Sequence, residues 1–453
     1  MEQAPPVAYQ SAHISVEQLI TDLRLLCSLP SSSGQLNELK ASARLIADFL
    51  RRAGLDIRLV PTDGAPIILG WRAGRSSERV LLYHHYDVAP PGPWRAWSHE
   101  PYKLAEREQH LYARGVAHGK GPLVAHIQAV RSLLRAENEL PVGLVVVVEG
   151  EGMSGSPNMP DVLHRFRDEL RASIALSTAG TRDAMGLPFC YAGSKGLLRV
   201  RLTVRGPEHP LDPGLAASVS NPVWRLLWAL DHIKGEDEDI RVAGFYDNIN
   251  GPQRDERELL REARINEDER LAAWGIPDFL FGMRGSSLLR SEVTLPTCNI
   301  SAFSVEPTTN STFIPTAASA QIDFQLVPEQ NPVTIMELIR GHLVEKGFTD
   351  ITVEELPGAY HPVRSPLDHP AFQRLVAVGE RVHGTPLPAL PLGTFAQPLH
   401  AISDILEMPV VTLALARHNS LIYGPNEHLP VDDLVRHSQS LSEYLIATAA
   451  SAG

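Results

Sequence analysis

The run Val142–Val148, VGLVVVV, constrains the fold of this chain more than any other stretch. It has no polar position, is rich in β-branched residues and is far too short to span a bilayer, so it reads as a strand buried on both faces. Such a strand needs helices above and below its sheet, an arrangement that parallel strands with crossover helices provide. The flanking sequence supplies them. Periodicity predicts helices over about Val16–Leu29, Gln35–Ala53 and Pro122–Arg135, and strands at Asp56–Val60, Ile67–Trp71, Val80–Tyr83 and Ile174–Ser177.

The pattern changes from Leu197. Strands at Val200–Val204, Ile300–Phe303, Ala320–Val327 and Ile351–Glu354, with helices over Pro222–Ile233 and Val333–Lys346, suit a smaller inserted α+β sandwich. Between them, Glu236–Ser291 reads as a charged excursion with short helices. After Pro362 the α/β pattern resumes, with helices at Ala371–His383, Gln397–Leu406 and Val431–Ala449 and a strand at Met408–Leu413. The chain of 453 residues exceeds one ordinary core. The expected architecture is α/β: a central, mostly parallel sheet with flanking helices, formed by residues 1–196 and 359–453, and an inserted α+β sandwich over 197–358.

A net charge of −12 with no basic run excludes nucleic acid as the expected partner. Three widely spaced cysteines, Cys27, Cys190 and Cys298, make neither a disulfide framework nor a thiolate zinc cluster. Met1–Ala12 has neither the basic nor the apolar region of a signal peptide, and no segment is apolar enough for a membrane span, so the expected location is the cytoplasm.

Six stretches then occur in a telling order: LLYHHYDV at 81–88, LYARGVAHGKG at 111–121, VEGEGMSGS at 148–156, LTVRGP at 202–207, FQLVP at 324–328 and GPNEH at 424–428. Together they resemble the di-zinc peptidase family of aminoacylase, acetylornithine deacetylase, succinyl-diaminopimelate desuccinylase, carboxypeptidase G and carnosinase, most strongly its dipeptidase-like branch. The resemblance implies a zinc-exopeptidase-like fold whose insert serves as lid and dimerisation domain, closing about hinges near Gly196 and Gly358. It also implies two zinc ions bridged by a carboxylate, with a Glu activating the bridging water.

Carried over position by position, the family's first ligand and its orienting acid are His85 and Asp87. The bridging carboxylate position is His118, the adjacent Glu pair is Gly152 and Met153, the strand-end acid is Thr178 and the last ligand is Tyr423. The lid His position is Asp212 and the carboxylate-clamp Arg position is Gln325. Three carboxylates and a ligand imidazole are thus absent, so paired zinc ions would lack charge compensation. The resulting expectation is no metal and no cofactor. The function expected is a repurposed, metal-independent enzyme carrying out cyclisation, condensation, isomerisation or acyl transfer on an amino-acid-like small molecule. Its catalytic residues would be His85, Asp87, His118 and Tyr423, with His84, Lys120, Glu149, Glu151, Met153, Thr178, Asp212, Gln325 and Asn419 around the substrate. Two alternatives stand beside it: a noncatalytic pseudopeptidase that binds a ligand, and a residual one-metal amidohydrolase or dipeptidase. A homodimer through the lid is expected by resemblance.

Overall fold

The computed structural model describes residues 13–308 and 312–451; Met1–Ala12, where a signal peptide was discounted, lies outside them. Every residue of the strand Leu140–Glu149 is buried, as its apolar run predicts. Val142, Leu144, Val146 and Val148 belong with one core, and Val145 and Val147 with the other. The two faces are covered by different helices. Lys120–Glu137, Val431–Ala450 and Val16–Cys27 pack on the first; Met159–Arg165 and Leu399–Ile405 pack on the second.

The central sheet has eight strands, in the spatial order Asp56–Val60, Ile67–Arg72, Leu140–Glu149, Gly74–His85, Ile174–Thr178, Val410–Leu413, Cys190–Tyr191, Ala389–Leu390. The middle four run parallel to one another, and on each side the next strand is antiparallel to them. The parallel strands therefore end on one side, where His85, Glu149 and Thr178 are their last residues. In open α/β sheets that side is where ligands bind.

A second sheet is wholly antiparallel, in the order Thr297–Glu306, Ala317–Leu326, Gly196–Arg205, Thr352–Glu355. Alternate residues Leu198, Val200, Leu202 and Val204 are buried against helices Pro222–Ile233 and Pro332–Glu345. This is the period of two read from the sequence. The edge strand Thr297–Glu306 is exposed along most of its length, including Ile300 and Phe303.

Differences from the sequence reading lie in short elements. The three-stranded ribbon Ala105–Arg107, His110–Tyr112 and His428–Pro430 and the seven-residue helix Met159–Arg165 are too short to carry a periodic signal. The strand expected at Val80–Tyr83 extends over Gly74–His85, since its polar ends pair with Leu140–Glu149. Among the described residues no helix is long and apolar enough to cross a membrane.

Candidate active site

The strand Gly74–His85 alternates sides, so Tyr83 and His85 face one way and His84 the other. His85 meets an acid two residues on. Its Nδ1 lies 3.1 Å from Asp87 Oδ1 and 3.0 Å from the Asp87 carbonyl oxygen. Both partners only accept, so Nδ1 carries the proton and the lone pair of the neutral ring is on Nε2. Asp87 is fully buried and also accepts the amides of Gly152 (3.1 Å) and Met153 (2.8 Å). Burial lowers the His85 pKa, but the hydrogen bond and charge of Asp87, joined by Glu149, outweigh it and the net shift is upward.

Gly152 is required here by space. A Cβ on it would stand 2.7 Å from the His85 Cβ and 2.8 Å from its Cγ. Any side chain at this position would require His85 to shift.

Two further groups are placed by one buried ion pair. Arg114 Nη1 donates to Glu427 Oε2 at 2.8 Å, and both side chains are almost fully buried. Glu427 also accepts the amides of Gly115, Ala117 and His118, fixing the loop that carries His118. Arg114 Nη2 donates to the carbonyls of Tyr423 and Gly424, fixing the other loop. Tyr423 sits there at φ 70°, a strained conformation for a residue with a side chain. The His118 ring is 4.7 Å from that of His85 and 5.3 Å from that of Tyr423. Burial, then the neighbouring His85 and Arg114, lowers the His118 pKa to about 3, so the ring is neutral.

These groups open onto a cavity of about 300 Å³. Of the expected residues, His85, His118, Met153, Gln325 and Tyr423 line it. Asp87 stands directly behind His85. The sequence reading missed Tyr83, Tyr360, Gln397 and Pro398. Tyr83 was within reach, because strand alternation puts it on the His85 side.

The other expected substrate residues lie elsewhere, each for a local reason. His84, on the opposite face of its strand, is buried with Nε2 2.9 Å from His126 Nδ1. Lys120 is buried and donates Nζ to the Leu29 carbonyl; burial lowers its pKa to about 8. Glu149 lies beneath the floor, accepting hydrogen bonds from Tyr83 and Ser156. Burial raises its pKa to about 7, and among the described residues its buried Oε2 has no partner. Glu151 accepts from Asn158 at 2.7 Å. Thr178 is buried against His437 Nε2 at 3.1 Å. Asp212 is exposed on the insert and caps Gly214. Asn419 is half-buried outside the cavity wall.

The same geometry bears on metal binding. Asp87 is engaged by three N–H groups and Glu149 by two hydroxyls, which leaves His85 and His118 as adjacent donors. Among the described residues no group of three or more His, Cys, Asp or Glu side chains is placed to hold a metal ion. This donor set does not fit a paired-zinc centre.

Comparison with known proteins extends the picture. Residues 81–447 match the model of peptidase family M20/M25/M40. A probable di- and tripeptidase of Saccharomyces cerevisiae is 26% identical over 364 residues, covering 75% of this chain and 39% of that protein. The chain thus spans well under half the length of this relative. A Beta-Ala-His dipeptidase of Rattus norvegicus is 25% identical over 362 residues, 74% of this chain and 72% of that protein. Among solved structures, an M20 family metallo-carboxypeptidase from Sulfolobus solfataricus superposes with a TM-score of 0.89 at 26% identity, covering 96% of this chain and 99% of that one.

These findings correct the expected function. The relatives bear the names of peptidases, and this overturns both the metal-independent cyclisation, condensation, isomerisation or acyl transfer and the pseudopeptidase. Substitutions at the resembled ligand positions do not carry the inference that hydrolysis is lost. On the extent of the family match, the chain belongs to peptidase family M20/M25/M40.

Proposed function

We propose that this chain is an amidohydrolase of the dipeptidase kind, cleaving an amide bond in a small peptide-like molecule. The observation that carries the proposal is the buried Asp87–His85 pair opening onto the cavity beside His118 and Tyr423. The names of the relatives support the reaction class.

In this reading His85 Nε2 takes the proton of a water molecule as its oxygen attacks the amide carbon. Asp87 holds the ring and stabilises the imidazolium that forms. The carbonyl oxygen, becoming an alkoxide, is met by the neutral N–H of His118 and the hydroxyl of Tyr423. On collapse the proton passes from His85 Nε2 to the leaving amine, so water is divided between the two products. The second sheet, which adds Leu197 and Gln325 to the cavity wall, acts as a lid that limits the access of water.

We also propose a homodimer through this lid, pairing at the exposed edge strand Thr297–Glu306. The unpaired cysteines, two of them buried, suit the reducing cytoplasm in which we place the chain.

The test is incubation with a panel of dipeptides and aminoacyl amides, read by mass spectrometry. Wild type should release amine and acid. His85→Ala should slow release by about 100-fold or more, in keeping with the loss of a positioned base. Equal product from both proteins would reject the assignment.

A further inference from the structure

The reactive groups are accompanied by a wall of unusual charge. Apart from His85, every residue lining the cavity among those described is neutral, the His118 ring included. Leu197, Met153, Tyr360, Phe395 and Pro398 make much of it apolar. Two arginines outside the lining act on wall residues, Arg114 on His118 and Arg199 on Tyr360. Both are engaged: Arg114 with Glu427 at 2.8 Å, and Arg199 with Asp323 at 3.6 Å. Beneath the floor lie the carboxyl groups of Asp87 and Glu149. A substrate carboxylate brought into this space would lose its water, face carboxyl groups and find no lysine or arginine among the described lining residues.

What the wall offers instead are two primary amides. Gln397 is held, accepting from Ser177 at 3.1 Å and donating to the Thr178 carbonyl at 3.5 Å. Gln325 is half-buried, lines the cavity, and its side chain has no hydrogen-bond partner among the described residues. A free carboxamide presents one acceptor oxygen and two N–H donors, which complements another amide and leaves a carboxylate with half a partner.

We infer that the substrate is an amide with no free carboxylate beside the scissile bond, such as an aminoacyl amide or a carboxamide-capped dipeptide, and that Gln325 reads its amide group. The inference rests on the amidohydrolase reading and narrows it. Sites built to pair polar groups discriminate strongly against analogues that leave a buried group unpaired.

The experiment compares a dipeptide with its own C-terminal carboxamide, on wild type and on Gln325→Arg. Wild type should show kcat/KM at least about 10-fold higher for the carboxamide. Gln325→Arg, which supplies a fork of donors for a carboxylate, should lower KM for the free acid by about 10-fold. A wild-type preference for the free acid, or an unchanged ratio in a folded Gln325→Arg, overturns the inference. If that variant does not fold, the wild-type ratio decides alone. If wild type cleaves neither compound, the amidohydrolase reading fails, and titration calorimetry on the same pair decides the inference separately: tighter binding of the carboxamide sustains it, and equal or weaker binding refutes it.

Discussion

Beneath the central sheet lies a set of histidines that should make the fold sensitive to acid. His126 and His437 stack at 4.7 Å with their planes 4° apart, and both are buried. Among the described residues His126 Nε2 and His437 Nδ1 have no partner, so each ring is neutral in the fold. Burial, with the neighbouring His437, holds His126 well below its ordinary pKa. Burial, then Arg182, His84 and His383, lowers His437 to about 3. In the unfolded chain both titrate near about 6.5. The unfolded state therefore binds more protons at any pH between the folded and unfolded values. Stability from these rings is complete above about pH 6.5 and is lost as pH falls toward the folded values. Over the two units from about pH 6.5 to 4.5, protonation of the unfolded chain costs the fold about 2 kcal/mol at His437, and His126 adds to the loss in the same sense. Glu149 acts in the opposite sense: its folded pKa of about 7 means that the fold gains stability as pH falls from neutral. The perturbation is therefore the double substitution His126→Gln and His437→Gln, which keeps a hydrogen-bonding amide at each position and leaves Glu149 in place. Urea unfolding at about pH 7 and about pH 4.5 should show wild type losing at least about 2 kcal/mol more than the double variant. Parallel losses, within about 1 kcal/mol, would refute the argument.

Two other predictions follow from packing. Gly152→Ala places a methyl group 2.7 Å from the His85 Cβ, so the ring must shift; turnover should fall about 100-fold with the melting temperature little changed, and undiminished turnover would show that the His85 position is not critical. Glu427→Gln leaves Arg114 as an uncompensated buried charge and should cost about 3–5 kcal/mol in chemical denaturation, together with loss of order at His118 in NMR spectra.

The fold was legible because its strongest signals are local. The all-apolar Val142–Val148 run implied a doubly covered strand, and alternation at Val200–Val204 implied a half-buried one; both occur. Within the site, the His85–Asp87 pair was readable because the partners are two residues apart. Glu427, which positions both His118 and Tyr423, lies 313 residues from Arg114, and no local pattern announces that pairing. His84 was placed near the substrate by adjacency to His85, whereas a strand turns neighbours to opposite faces. The His126–His437 stack joins two helices far apart in the chain and had no sequence signal at all. Substitutions at the resembled ligand positions were read as a change of chemistry. Residue identity at those positions does not reveal how the remaining groups are arranged, and the kinship with peptidases points the other way.

The central claim is that water is a reactant, divided between the two halves of an amide. The most direct measurement is turnover of a cleaved amide in water enriched in oxygen-18, with mass spectrometry of the acid product. One heavy oxygen atom per acid molecule formed is the result predicted. Turnover that leaves the acid product unlabelled would contradict it.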